Sequence, residues 1–290
     1  MKVHLLDGTY ELFRHHFGVP AGDRDPADEV AGTRGVLWSV LTLLEGGVTH
    51  LGVATDHVIE SFRNDLWPGY KSSAGVPEAI LNQFQLLEDA LATLGVANFA
   101  MVELEADDAL AAAAVTAAAD SMVEQVVVMT PDKDLAQVVS GTRIVQLDRR
   151  SGTITDEHGV KAKYGVEPES IPDWLALVGD SADGFPGLPG WGKTSASAVL
   201  ARYRHIEDIP EHHFRWDVTV RGAARLAAAL NEQRDQALLF KDLATLRADA
   251  KVLGDVEDLR WHGPGDGLAE MATRLRAWRF TERVEALGRR

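Results

Sequence analysis

Nine acidic residues, Asp7, Asp56, Glu105, Asp107, Asp108, Asp132, Asp134, Asp180 and Asp183, fall at or just beyond the ends of short apolar runs drawn from five separate segments of the chain. Carboxylates brought together repel and raise one another's pKa, and hard divalent cations such as Mg²⁺ or Mn²⁺ relieve that repulsion through oxygen ligands. Two such ions about 3.5–4 Å apart clamp the attacking and leaving oxygens of a phosphodiester, so the chemistry to expect is hydrolytic phosphoryl transfer. A single Asp after a strand is often a turn former or a helix cap, and Asp107 and Asp108 also suit the dipole of the helix they open. The weight lies in the coincidence across five segments, which capping does not require.

The elements that must position these groups are legible as alternating strands and helices. Residues 3–6, 51–55, 126–130 and 143–147 read as short buried strands, each β-branched or Leu-rich and each closed by a polar or turn residue. Helical patterns lie between them, clearest over 106–119, which is Ala-rich with two acids in its first turn, and over 79–94, where Ile80, Phe84, Leu87, Leu91 and Leu94 recur at helical spacing. Such alternation predicts a mostly parallel, doubly wound α/β sheet. In open sheets of this kind ligands bind beyond the carboxyl ends of the strands, where these acids stand. From residue 170 onward strand signals fade and a mainly helical lobe is expected, closed by one amphipathic helix over 268–287.

The 290 residues are enough for one large α/β domain or two smaller ones. With no cysteine, a disulfide framework, a thiolate metal site and a cysteine nucleophile are all excluded. No signal-peptide pattern opens the chain and no apolar run reaches the roughly 18 residues of a membrane span, so a cytoplasmic location without membrane contact is expected. The formal charge of −15 argues against general adhesion to nucleic acid, yet residues 1–150 carry a net −12 and residues 151–290 only −3. Basic groups are thus concentrated in the second half, and net charge does not decide the partner.

Two further segments bear on phosphate and nucleic acid. Residues 187–194, GLPGWGKT, match the G-x-x-x-x-G-K-[ST] phosphate loop, but what precedes them is a turn-rich acidic stretch and not a strand. The Gly190-Trp191-Gly192 turn between two helical patterns suits a helix-hairpin-helix better, in which backbone amides and a helix N-terminus grip a DNA phosphate and Lys193 adds a point charge. A plain interhelical turn with Trp191 in the core is the competing reading. Residues 62–71, FRNDLWPGYK, interleave aromatics with Arg63 and Lys71, the mix found where bases stack and phosphates are steered. Phe62 and Trp67 are expected in the core, Tyr70 and Lys71 at the surface beside the Pro68-Gly69 turn.

Together these segments resemble the 5′-nuclease superfamily, specifically bacterial 5′→3′ exonucleases and flap endonucleases like the N-terminal domain of bacterial DNA polymerase I. The resemblance is carried by LLDGTYELFR at 5–14, the Asp56 strand with FRNDLWPGYK at 62–71, LEADDALA at 104–111, TPDKDLAQVV at 130–139 and LVGDSADGFPGLPGWGKTSA at 177–196. It spans essentially the whole chain. It implies a PIN-like or resolvase-like α/β domain over 1–169 with a helical arch over about 62–95. A helical DNA-binding lobe over 170–290 would follow, with a helix-three-turn-helix over about 171–203.

By the same resemblance Asp7, Asp56, Glu105 and Asp107 would serve one Mg²⁺ or Mn²⁺ ion with Asp108 nearby, and Asp132, Asp134, Asp180 and Asp183 a second. Lys71 would contact the scissile phosphate, Tyr70 would position the terminal base and Arg63 would support the arch. Gly190, Gly192, Lys193 and Thr194 would hold duplex DNA, commonly with a K⁺ ion between backbone carbonyls and phosphate. The implied partner is DNA with a 5′ end, flap or nick, met by a monomer. Three positions depart from the family pattern: Ala74 stands where Arg is frequent, Gly184 where Asn is common, and Thr55 where an apolar residue is usual.

The rivals are a structure-specific DNA-binding protein with weak or lost catalysis, suggested by Ala74, and an NTPase using 187–194. The second is readily tested: incubation with ATP and Mg²⁺ is expected to release no phosphate above a protein-free blank, and measurable turnover would restore the phosphate-loop reading.

Overall fold

The computed structural model describes residues 1–18 and 28–288. The chain begins with β1 (Lys2–Asp7), α1 (Gly8–Gly18), α2 (Ala31–Glu45), β2 (His50–Asp56), α3 (Phe62–Leu66), α4 (Glu78–Leu81), α5 (Phe84–Leu94), β3 (Ala97–Met101), α6 (Ala106–Ala119) and β4 (Gln125–Met129). A 3-10 turn at Asp134–Val138 leads to β5 (Ile144–Asp148), β6 (Thr153–Thr155) and α7 (Glu157–Tyr164). The rest is helical: α8 (Ile171–Val178), α9 (Lys193–Tyr203), α10 (Ala223–Glu232), α11 (Arg234–Ala244), α12 (Leu268–Arg274) and α13 (Phe280–Leu287).

The six strands form one sheet in the order β3-β2-β1-β4-β5-β6, parallel except for the antiparallel edge strand β6. The chain builds outward from β1 to β3, then returns to lay β4 on the other side of β1. That return makes the β1/β4 boundary the switch point in strand order, where an open sheet leaves a crevice. Side chains alternate across the pleat: Leu6, Val53, Val127 and Met129 pack beneath α2, α5, α12 and α13, whereas Val3, Leu5, Val126 and Val128 pack against α6 and residues 246–259. The alanines of α6 combine high helix propensity with no bulk, which lets that helix lie close to the sheet.

Residues 171–244 form the helical lobe around a core of its own, which includes Trp174, Phe185, Trp191 and Phe240. Beyond the lobe, residues 246–259 and the closing helices return to the two faces of the sheet. Within the expected arch, 62–95, Ile80 of α4 and Phe84, Leu87, Leu91 and Leu94 of α5 are embedded in the sheet's core, with Val76 and Leu81 packed against them. The helix expected over 79–94 is interrupted at Asn82 and Gln83, where the buried Gln83 Oε1 accepts hydrogen bonds from Thr33 N and Oγ1 of α2.

The closing helix expected over 268–287 is likewise two. Arg276 and Arg279 between them hold φ of 54° and 65°, left-handed backbone that costs a residue with a Cβ about 1–2 kcal/mol. Arg279 is exposed and its ion pair with Glu282 is long and solvated. Arg279→Gly is therefore expected to stabilise the fold by about 0.5–1 kcal/mol, glycine's greater entropy loss offsetting part of the relieved strain. A lower Tm for this variant in thermal unfolding would contradict the assignment.

Candidate active site

Asp7 and Asp56 close adjacent parallel strands, β1 and β2, and Asp132 follows β4 on the other side of β1. Asp7 Oδ1 accepts from Tyr10 N at 2.8 Å, which starts α1, and Oδ2 accepts from Thr130 Oγ1 at 2.9 Å, which ties β1 to the exit of β4. Asp56 accepts from Ala106 N at 2.8 Å and so fixes the first turn of α6, which carries Asp107. Asp132 Oδ1 accepts from Asp134 N at 2.9 Å, turning the chain so that both acids stay at the edge. Asp180 and Asp183 lie in a tight loop closed by paired backbone bonds between Asp180 and Phe185.

The electrostatics record how close these groups are. Burial raises Asp7 to about 7 against its two hydrogen bonds, with the charges of Asp56 and Asp132 adding to the rise. Burial, and next the charge of Asp132, push Asp107 and Asp134 well above the ordinary carboxyl range. Asp56 is also raised by burial, although Lys71 opposes the shift. Asp134, Asp180 and Asp183 each offer one oxygen, and these three lie within 4.8 Å of one another. Asp134 Oδ1 is buried without a hydrogen-bond donor among the described residues. An orphaned oxygen in a set of carboxylates fits a hard divalent cation better than it fits a closed protein network.

Lysines stand where the carboxylates crowd. Lys133, which the sequence reading did not single out, pairs with Asp180 and lies 3.7 Å from Asp134 Oδ1. Its place between two aspartates in PDKD was the available signal. Lys71 Nζ bridges Glu105 Oε2 at 2.6 Å and Asp183 Oδ1 at 3.2 Å, and its backbone N donates to Asp183 O at 3.0 Å. Among the described residues Asp7, Asp56, Glu105 and Asp107 do not close into a second compact trio. Glu105 is drawn instead to Arg63, Ser61, Tyr70 and Lys71.

Four expectations are corrected here. Asp108 is fully buried and held bidentately by Arg63, with Oδ1 also accepting from Arg247 N and Oδ2 from Glu105 N, so its oxygens are occupied within the protein. Arg63, expected under an arch, is 1% exposed, and all five of its N–H donors are spent on Asp108, Glu105 and the carbonyls of Leu243 and Thr245. Burial works against the Arg63 charge, but its hydrogen bonds to Asp108 and the charge of Glu105 outweigh it and raise the pKa. Tyr70, expected at the surface, is buried with its ring in the lobe core and its hydroxyl 3.3 Å from Glu105 Oε2. Phe62 and Trp67, expected in the core, are only partly buried.

Gly184 joins the two loops over the site. At φ 83° its carbonyl accepts from Trp67 Nε1 at 3.0 Å, and a Cβ there would lie 1.9 Å from Gly69 O. The departure from the family's Asn thus accompanies a close backbone crossing. Farther along the same connection, Gly190 at φ 83° and Gly192 lead into α9, with Lys193 and Thr194 exposed and Trp191 buried. Gly190, Gly192, Lys193 and Thr194 line a cavity of about 430 Å³ together with Thr219 and Arg221. A helix, α8, precedes this turn where a phosphate loop needs a strand.

A resolvase-like α/β domain with carboxylates at its switch point, joined to a helical lobe, defines a class of phosphodiester-handling proteins. The chain belongs to the 5′–3′ exonuclease family: residues 2–165 match its N-terminal resolvase-like domain and residues 166–266 its C-terminal SAM fold. It is 32% identical over 263 residues to flap endonuclease Xni of Shewanella amazonensis, covering 89% of this chain and 98% of that protein. It is 32% identical over 265 residues to DNA polymerase I of Pseudomonas aeruginosa, covering 88% of this chain but 28% of the polymerase. The chain therefore spans under a third of the DNA polymerase I relatives it matches. In fold it is similar to the bacteriophage T5 D15 protein co-crystallised with metal ions, with a TM-score of 0.67 at 17% identity over 96% of this chain and 99% of that one. It is similar also to the catalytic core of Rad2 in complex with DNA substrate, with a TM-score of 0.63 at 16% identity over 99% of this chain and 92% of that one.

The raised carboxyls carry a pH prediction for the metal-free protein. Between the ordinary value of 3.8 and about 7, folded Asp7 keeps a proton that the unfolded chain has released, so stability falls as pH rises through that window. Asp56, Asp107 and Asp134 act in the same direction. The Tm measured in EDTA is expected to drop from pH 5 to pH 8, and millimolar Mn²⁺ at pH 8 is expected to recover the loss. A Tm that rises with pH in EDTA would refute the coupling.

Proposed function

We propose that this chain is a divalent-metal-dependent 5′→3′ exonuclease and flap endonuclease, hydrolysing DNA phosphodiesters near free 5′ ends, flaps or nicks. The observation that carries the reading is the gathering of Asp134, Asp180 and Asp183 from two chain segments beside the buried acids of β1, β2 and α6. Asp132, Asp134, Asp180 and Asp183 would hold one Mg²⁺ or Mn²⁺, and Asp7, Asp56, Glu105 and Asp107 would hold the other. Divalent ions held there would supply positive charge that lowers the pKa of a water and offsets the charge of a phosphodiester.

The chain's own groups supply the rest. Lys71 stands between Glu105 and Asp183 and can exchange a carboxylate for a phosphate oxygen without moving its backbone, which is pinned to Asp183 O. The Gly190 to Gly192 turn presents open backbone at the start of α9, and the exposed Lys193 adds charge, a pattern suited to the backbone of duplex DNA. Contacts of that kind position a duplex without reading its sequence. The similarity to flap endonuclease Xni and to proteins named 5′-3′ exonuclease supports the same reaction. A monomer acting in a bacterial cytoplasm completes the proposal.

Replacing Asp132 and Asp134 together by Ala is expected to abolish cleavage of a labelled 5′-flap substrate in Mg²⁺ while folding and DNA binding persist. Unchanged cleavage would sink the mechanism. Tight flap binding by the wild-type protein with no product in either Mg²⁺ or Mn²⁺ would favour the DNA-binding alternative, to which Ala74 gives some weight.

A further inference from the structure

We propose that α11 and its exit, residues 243–247, form a strut that sets the spacing between the two groups of carboxylates, and that Gln137 is its positioning residue. The inference rests on the reading of the site as a metal-dependent nuclease and assigns a role to a residue outside the acidic set. Gln137 lies in the 3-10 turn that begins at Asp134. Its Nε2 donates to Asp134 O at 2.8 Å and to Ala244 O at 3.0 Å, and its Oε1 accepts from Leu246 N at 3.0 Å. Both donor hydrogens and an acceptor of one amide therefore join the backbone of an acidic residue to the end of α11.

The other side of the same exit grips the other acids. Leu243 O and Thr245 O accept from Arg63 at 2.8 and 3.2 Å, and Arg63 in turn holds Glu105 and Asp108. Arg247 N donates to Asp108 Oδ1 at 2.9 Å. One helical turn earlier, Phe240 stacks on Phe185 of the Asp180–Asp183 loop, centroids 5.4 Å apart, and meets the Trp67 edge at 5.1 Å. Lys241 ties α11 to Asp173 of α8, the helix that feeds that loop. The four segments that carry Lys71, Glu105, Asp134 and Asp183 thus share one brace, and it belongs to the lobe. A side chain with this geometry acts on the reaction through the position of Asp134, whereas a simple packing residue would act only through stability.

Gln137→Met keeps length and bulk and removes all three hydrogen bonds. Mn²⁺ binding to the metal-free variant, followed by electron paramagnetic resonance without DNA, is expected to weaken about tenfold, the effect of losing a group that orients ligands. On a 5′-flap substrate kcat is expected to fall about 10- to 100-fold at an unchanged KM. Hydrogen exchange is expected to quicken over 132–138 and 243–247 and to stay the same over α9. Mn²⁺ affinity and kcat both within twofold of the wild type would overturn the proposal. So would a parallel loss of kcat, DNA affinity and Tm, which would make Gln137 a residue of the fold alone. If the wild-type protein cleaves no flap in Mn²⁺, the functional reading fails, while the Mn²⁺ affinities and exchange rates still decide whether the strut exists.

Discussion

Desolvation of the buried and half-buried carboxyl groups at one edge of the sheet, chiefly Asp7, Asp56, Asp107 and Asp134, with their mutual repulsion added to it, is the constraint that the neighbouring charged groups answer. A carboxylate out of water is expensive, and several together can persist only as protonated groups, as ion pairs or as ligands of a cation. The fold uses the second solution in part, setting Lys133 beside Asp134 and Asp180, and Lys71 between Glu105 and Asp183. Among the described residues Asp134 Oδ1 still has no hydrogen-bond donor. The edge is therefore less than fully compensated by protein alone, a property of a site built for binding more than of one built for stability.

Arg63 shows the complementary case. Its ion pair with Asp108 is buried on both sides and fully hydrogen-bonded. Such a pair adds little net stability over an apolar packing, yet losing either partner would strand a charge at a cost of about 3–5 kcal/mol. What it secures is geometry: α3, the start of α6 and the end of α11 meet at one guanidinium. The planar fork permits this, and a lysine at the same position could not reproduce the angles.

Much of this was legible because strong periodicity and turn chemistry act locally. The strands β1, β2, β4 and β5 appear as apolar runs, α6 and α8 fall where their patterns put them, and the acids stand at strand ends as spacing suggests. The edge strands β3 and β6 were missed: Ala97–Met101 is only partly buried and Thr153–Thr155 is three residues long, so neither carries a clear alternation. The break between α12 and α13 lies at arginines in left-handed backbone, which no residue preference announces. Asp108, Tyr70 and Arg63 were misjudged for a different reason. Arg63 and Asp108 find backbone partners at Leu243, Thr245 and Arg247, more than a hundred residues away, and the Tyr70 ring packs into the core of the helical lobe, whereas a motif reveals residue type and spacing but not what a distant segment will claim.

The connection from α8 to α9 carries both Asp183 and Gly190. Seven residues of fully extended chain reach at most about 25 Å, and one DNA strand advances about 3.4 Å per nucleotide. If the Gly190 turn holds a duplex, the phosphate it grips and the phosphate at the carboxylates lie within roughly seven base pairs of each other, whatever the bases are. The loop then works as a gauge: it measures from the duplex to the cut, and where a strand is severed becomes a matter of covalent length rather than of sequence.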